Sequence, residues 1–515
     1  MRHPLRLLAL LLFACASVVP PATAAEYSKL WGRAGERFDP AGRLPDCSYA
    51  GYHRGEESLP KAARAASVKD FGAKGDGKQD DTAAFRKAIA ATERGAIEIP
   101  PGRYLLSDQL VIDKPNLVLR GAGPEKTVLF FRKPLQELKP DWGATRTGKK
   151  TSNYSWSGGL VAVVGESREA ALTSVSGEAQ RGDTSLEVAN PAKLKPGQQV
   201  RLTVTDDDSH SLQDHLYSGD TGPLDKVRWD HRTSQVFTVV GVSGNSVQLD
   251  RPLRFDVRAA WKPELTAFAP TVTEVGIEDL GFDFPSGPYG GHFSELGFNP
   301  IELTNVAHCW VRNIRIHDAD SGIFVHGEFN TIDGVVFEAS RQPDAKGHVG
   351  HHGIYLSRGG DNLYTRFDYR CRFIHDITVS RGAGNAITSG RGVDLCFDHH
   401  KEAPFDNVFT DIDVGAGRRV WASSGGPDIG KHCGARGTFW NIRAERPIAP
   451  PTERFGPKSL NFVAVQSTQP SVLEPGGVWW EAIAPSAIVP KNLHQAQLER
   501  RLGQPVRPNN KPSAR

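Results

Sequence analysis

The chain is poor in sulfur: one methionine and six cysteines in 515 residues. Cys15 lies within the first 24 residues, which leaves Cys47, Cys309, Cys371, Cys396 and Cys433. That number is odd and the spacings match no zinc pattern, so neither a zinc module nor a fully bridged framework is indicated. Buried thiols, or one or two bridges with a thiol left over, fit the count. An excess of one charge is also missing. The 62 basic and 59 acidic residues leave +3, too even a balance for non-specific nucleic-acid binding, although it leaves room for a local basic groove. Long apolar runs are absent too. Leu7 to Phe13 is too short to span a bilayer, and no later segment qualifies. With Arg2 and Arg6 before that run and Ala22-Thr23-Ala24 after it, residues 1–24 read as a secretory signal, giving a periplasmic or extracellular protein. Leu12-Phe13-Ala14-Cys15 is the minor alternative, a lipoprotein box in which Phe fits poorly.

Glycine and proline are plentiful, at 53 and 35, mostly between short strand-like runs. This points to an all-β solenoid, in which each repeat contacts only its neighbours. One strand type recurs as Ile277 to Phe282, Val311 to Ile316, Ile332 to Phe337, Ile374 to Val379, Thr410 to Val414 and Trp440 to Arg443. A second centres on Ile323, Ile354, Ile387 and Val420, at spacings of 31, 33 and 33, the signature of stacked coils. Residues 172–256 differ: runs such as Gly197 to Val204 and Val236 to Val240, with Gly244-Asn245 as a hairpin turn, read as an inserted antiparallel module. Its long loop, 206–232, carries His210, His215, Trp229, Asp230 and His231, and either overhangs a groove or is an ordinary exposed loop. The reading is thus a leader (1–24), an arm (25–66), first coils (67–171), the module (172–256), main coils (257–447), and a tail with a capping helix (448–515). The helix is Asn492 to Leu502, and the last dozen residues look disordered.

The segment Val68-Lys-Asp-Phe-Gly-Ala-Lys-Gly-Asp-Gly-Lys-Gln-Asp-Asp-Thr82, a short apolar helix, and Gly95-Ala-Ile-Glu-Ile-Pro-Pro-Gly-Arg-Tyr104 resemble the opening of pectate-lyase-like right-handed parallel β-helices. Asp80, Asp81 and Thr82 suit a helix N-cap on physical grounds alone. The resemblance implies a right-handed parallel β-helix and chemistry on polysaccharides. It does not carry residue roles. The calcium cluster and arginine motif of pectate lyases proper cannot be placed. Of the polygalacturonase motifs, only Gly350-His-His-Gly353 faintly matches one.

Strand alternation gives a candidate surface. If Ile323, Ile354, Ile387 and Val420 point inward, then Phe324, Tyr355, Thr388 and Trp421 point outward in a row suited to sugar faces. Asp318, Asp320, Arg358 and Arg419 flank it as further binding candidates. His351, His352, Arg391, Asp394, Asp398, His399, His400 and Lys401 are the catalytic candidates, with Asp394 and Asp398 expected to project together. Two chemistries compete. An acidic, uronate-containing polymer is cleaved by β-elimination, using histidine, lysine, arginine or tyrosine. Otherwise a glycosidic bond is hydrolysed by two aspartates. The excess of His and Arg favours the lyase. A non-catalytic glycan-binding surface protein is the third reading. Metal ligation is another use of the cluster of Asp394, Asp398, His399 and His400; calcium is compatible with the lyase, but no cofactor is clearly indicated. The sugar, the linkage and the oligomeric state are not legible.

Overall fold

The computed structural model describes residues 24–504 except 146, 229 and 230. The leader apart from Ala24, its Cys15, the loop residues Trp229 and Asp230, and the tail beyond 504 lie outside the described residues. The fold is a right-handed parallel β-helix carrying an inserted antiparallel module and a C-terminal helix. One wall is a seven-stranded parallel sheet whose spatial order is its chain order: β1 Leu110–Ile112, β2 Val161–Val164, β3 Ile301–Ala307, β4 Ile323–Glu328, β5 Gly350–Ser357, β6 Phe373–Ser380 and β7 Phe397–His399. Ile323, Ile354, Ile377 and Phe397 stack in register along its inner face and belong to one continuous apolar core.

The other walls form a second sheet of strands bent round a corner. Thr331–Glu338, for example, pairs with Leu363–Thr365 through its first half and with Asp368–Tyr369 through its second. The corner is made by one residue per coil at positive φ: Asp279, Asn313, Gly334, Arg366, Ser389, Asp411, Asn441 and Ala464. Asp, Asn and Gly enter this left-handed region at the least cost. The Asn313 amide donates to Asp279 across adjacent coils at 2.6 Å.

A second internal device is an asparagine ladder. Asn362 Oδ1 accepts from the Asn330 backbone and side-chain N–H groups (both 3.0 Å). Asn385 Oδ1 does the same for Asn362 (3.0 and 3.1 Å), and Asn407 Oδ1 for Asn385 (3.0 and 2.9 Å). All four are buried. Replacing Asn385 by alanine strands two buried Asn362 donors, each worth about 1–3 kcal/mol. A loss of about 2–4 kcal/mol is expected in denaturant unfolding, and unchanged stability would show the ladder to be decorative.

The ladder steps of 32, 23 and 22 residues show that coil length varies. The regular spacing near 33 therefore does not hold. Ile387 lies in the bent sheet beside Tyr364 and Phe409, and Val420 lies in a turn. Ile374 to Val379 is part of β6, not of the bent strand type.

The antiparallel sheet of the module extends past residue 256 to Glu264–Ala267. At the helix Thr82–Ala91 the cap is made by Asp80, whose carboxylate accepts from Thr82 N–H at 3.0 Å. Asp81 instead binds the glycine loop, accepting from Lys74 and Gly75 N–H at 2.6 and 2.9 Å. The N-terminal arm and the helix Leu493–Leu502 cover the outside of the bent sheet, where Trp31, Leu44 and Leu493 pack on Val408, Trp440 and Val463. All five described cysteines are free thiols, and four are fully buried. No described helix is long and apolar enough to cross a membrane.

Candidate functional site

The seven-stranded wall carries on its outer face a cluster of imidazoles, carboxylates and one phenol. The outward row, in register, is Phe324, Tyr355, Thr378 and Asp398. Asp398 is fully buried. Its Oδ2 lies 2.9 Å from His400 Nδ1 and 3.4 Å from His375 Nδ1, and accepts from the Thr378 hydroxyl at 3.1 Å. Its Oδ1 accepts from Ser424 N–H at 2.7 Å. Burial alone would raise its pKa, but His375, His400 and these donors hold it far below the carboxylate range. Burial alone would lower His400, but the Asp398 charge outweighs it and raises the imidazole above its ordinary value. His400 keeps 28% of its side chain exposed, so a basic nitrogen reaches solvent. Tyr355 is half-buried with its ring centre 6.0 Å from that of His400, and burial pushes its hydroxyl up to about 12.

His352 stacks on Tyr355 at 4.9 Å and contacts the Thr378 hydroxyl at 2.9 Å. His351 stacks on His352 at 4.2 Å. Burial keeps both neutral, helped by neighbouring imidazoles. It also lowers His375 to about 3 and the exposed His292 to about 4. Glu295 lies behind His351, with Oε2 3.7 Å from Nδ1, and burial raises it to about 7. Asp320 positions this group: its carboxylate accepts from Leu296, Gly297 and Phe298 N–H at 3.1 to 3.2 Å and so folds the loop that carries His292 and Glu295. His292, His351 and His375 form the one group of potential metal ligands among the described residues.

Immediately beyond the ends of β5 and β6 lies a cavity of about 540 Å³. Six arginines line it (Arg201, Arg228, Arg232, Arg254, Arg358, Arg381) against four carboxylates (Glu169, Glu328, Asp361, Glu402). Arg228, His231 and Arg232 come from the end of the module's long loop, which therefore walls the cavity. The loop is docked on the solenoid, with Tyr217 OH accepting from Ala403 N–H at 2.9 Å and donating to Lys431 O at 2.9 Å.

Of the sequence candidates, the structure brings together His351, His352, Tyr355, Asp398 and His400, with Arg358 exposed at the cavity rim. The others stand elsewhere. Phe324 is fully buried, so the ladder of exposed rings does not exist. Trp421 is half-buried, packs on the core residues Phe397, Phe439 and Phe455, and donates to Ala449 O. His399 alternates inward from Asp398 and His400, against Phe409 and Phe455. Asp394 does not project with Asp398: it pairs with Gly415 and accepts from Arg418 N–H at 2.9 Å. Arg391 is an exposed partner of Asp368 on the bent sheet. Arg419 braces the carbonyls of Phe373, Ile374 and Asp394 and the Asp376 carboxylate. Asp318 binds the Ser340 and Arg341 N–H groups. Asp320 holds the 296–298 loop, and Lys401 is buried.

A family model described as Rhamnogalacturonase A/epimerase, pectate lyase-like, matches residues 65–139. Over that segment the chain is similar to the pectate-lyase-like superfamily. It is 38% identical over 97 residues to Alginate lyase 7 of Azotobacter vinelandii, which covers 17% of this chain and 11% of that protein. It is 35% identical over 100 residues to Mannuronan C5-epimerase AlgE3 of the same organism, 18% of this chain and 5% of the relative. The chain thus spans a small fraction of the curated relatives it matches. Among solved structures, the tailspike protein gp49 from Pseudomonas phage LKA1 aligns with 73% of this chain and 59% of its own at 12% identity and a TM-score of 0.48. The family match ends at residue 139, before the imidazole cluster begins, so the cluster is read from its own geometry.

Sequence reasoning missed His292, Glu295, His375, Thr378 and Ser424. His375 and His352 share the parity of the inward Ile354 and Ile377, yet both join the outer cluster. Alternation breaks at Gly353, where a β-carbon would lie 2.4 Å from the Tyr369 ring and 2.5 Å from Asp376 O. The Gly-Ile step in Gly353-Ile354 was its sole local signal.

Proposed function

We propose that the protein is a secreted polysaccharide lyase that cleaves a uronate-containing polymer by β-elimination at the Tyr355–Asp398–His400 cluster. The observation that carries this reading is the His400–Asp398 pair, an imidazole made more basic by a buried carboxylate and reaching solvent beside a phenol. Asp398 fixes Nδ1 of His400 and leaves Nε2 to take the C5 proton. The C5 electron pair then forms the C4–C5 double bond as the C4–O bond breaks. Tyr355 is the donor placed to protonate the leaving oxygen. The arginine-lined cavity, with Arg358 at its rim, supplies positive charge for the uronate carboxylate. Relatives named for alginate and mannuronan, both uronate polymers, support the substrate class.

Hydrolysis by two aspartates is less well supported, because Asp318, Asp320 and Asp394 are engaged by backbone N–H groups as turn braces. The test is a screen of the purified protein against alginate, pectate, glucuronan and glycosaminoglycans, following the ultraviolet absorbance of unsaturated uronates together with reducing ends. Both should rise on at least one polymer. Reducing ends without absorbance would make the enzyme a hydrolase and overturn the reading.

A further inference from the structure

We propose that His292, His351 and His375 bind one divalent transition-metal ion. One nitrogen from each ring lies within 4.8 Å of the other two. The Nε2 atoms of His292 and His351 are 3.0 Å apart. Ligands about 2.0–2.1 Å from a tetrahedral ion stand about 3.4 Å from one another, so small ring rotations close the site.

Three observations make this more than a chance meeting of imidazoles. First, each buried histidine has a carboxylate behind its Nδ1: Asp398 at 3.4 Å from His375 and Glu295 at 3.7 Å from His351. Each carboxylate faces the Nδ1 side of its ring and leaves the opposite nitrogen on the side of the other imidazoles, the arrangement that orients a metal-binding histidine. Second, His375 Nε2 is buried without a hydrogen-bond partner. Leaving a buried nitrogen unsatisfied is unfavourable, and a coordinated ion satisfies it. Third, the loop that carries His292 and Glu295 is held in place by three N–H bonds to Asp320, so the third ligand is positioned by the fold.

An all-imidazole donor set suits zinc, cobalt, nickel or copper rather than calcium or magnesium. Three protein ligands leave a coordination position for water or a substrate oxygen. His292 is exposed, so the ion is reachable from the groove. The assignment stands independently of the lyase reading, because it is tested by binding alone.

The experiment uses untagged full-length mature protein, stripped with chelator and titrated with Zn²⁺, with Co²⁺ as a visible-absorbance probe. One equivalent of zinc should be retained on gel filtration, and cobalt should give the intense bands of a tetrahedral site. Glu295→Gln should weaken binding about 10–100-fold, and His292→Ala and His375→Ala more than that. His292 is exposed, so its variant decides the matter if the buried His375 variant fails to fold. Absence of a stoichiometric ion, or undiminished binding in His292→Ala, would overturn the site. Activity on polysaccharide plays no part in either outcome.

Discussion

Replacing His400 by alanine should lower turnover of the best uronate polymer by about 10²–10⁴-fold, the usual contribution of a positioned general base. Substrate binding, read by inhibition or calorimetry, should change little. The reasoning is local. His400 is partly exposed, so removing its ring leaves no large cavity. Asp398 keeps its Thr378 and Ser424 donors and remains satisfied. Asp398→Asn should reproduce most of the loss, because it removes the charge that makes His400 basic and fixes its tautomer. Arg391→Ala, on the bent sheet, should retain turnover. Equal turnover in His400→Ala and the parent protein would move the chemistry away from this cluster.

The second large effect concerns the joint between module and solenoid. Asp361 lies on the solenoid and is fully buried between Arg251 and Arg254 of the module. Arg251 Nη2 is 2.8 Å and Arg254 Nη1 3.1 Å from Oδ2, while a second Arg254 nitrogen donates to Oδ1. Arg54, Cys47, Asp406, Arg181 and Tyr49 are further titratable groups around the two arginines. Asp361→Ala would leave two buried guanidinium groups without their counter-charge. Breaking such a pair from one side costs about 3–5 kcal/mol. Chemical denaturation should show a loss of that size, and the cavity lined by Arg254 and Asp361 should become more susceptible to proteolysis at the module loop.

The same triad gives a pH signature. Burial alone would raise the Asp361 pKa, but the two arginines outweigh it and hold the carboxyl below its ordinary value. A depressed folded pKa means that the contribution is complete above the unfolded carboxylate value of about 3.9 and fades as pH falls below it. The parent protein should therefore lose stability on acidification more steeply than Asp361→Asn. Parallel slopes would assign the acid sensitivity to other carboxylates.

The architecture was legible because the opening motif and the alternating strands act locally. Val68 to Tyr104 carries its own cap, glycine loop and strand, and five of the eight bent-strand corners place Asp, Asn or Gly at one recurring position. Coil length was not legible. Ile323 and Ile354 are true neighbours, but the next inward residue is Ile377, not Ile387, because loop lengths change from coil to coil. The error moved Thr388 and Trp421 onto a face they do not share. At the site, Asp398 and His400 were visible in the dense polar run Arg391 to Lys401, His351 and His352 at the start of a predicted strand, and Tyr355 as an outward residue of that strand. His292 and Glu295 were not, because they sit in an aperiodic loop that Asp320, Leu135, Gln136 and Thr151 hold by hydrogen bonds distant in sequence. Asp318, Asp394 and Arg419 show the converse. A polar side chain near a groove serves a turn when backbone N–H or C=O groups need it more than a substrate does.

Proton magnetic resonance of the polymer during turnover tests the central claim most directly, by following the uronate C5 hydrogen. The account predicts that this signal disappears as an alkene proton at C4 appears, at equal rates, and that neither change occurs with His400→Ala. New chain ends with the C5 hydrogen retained would contradict it.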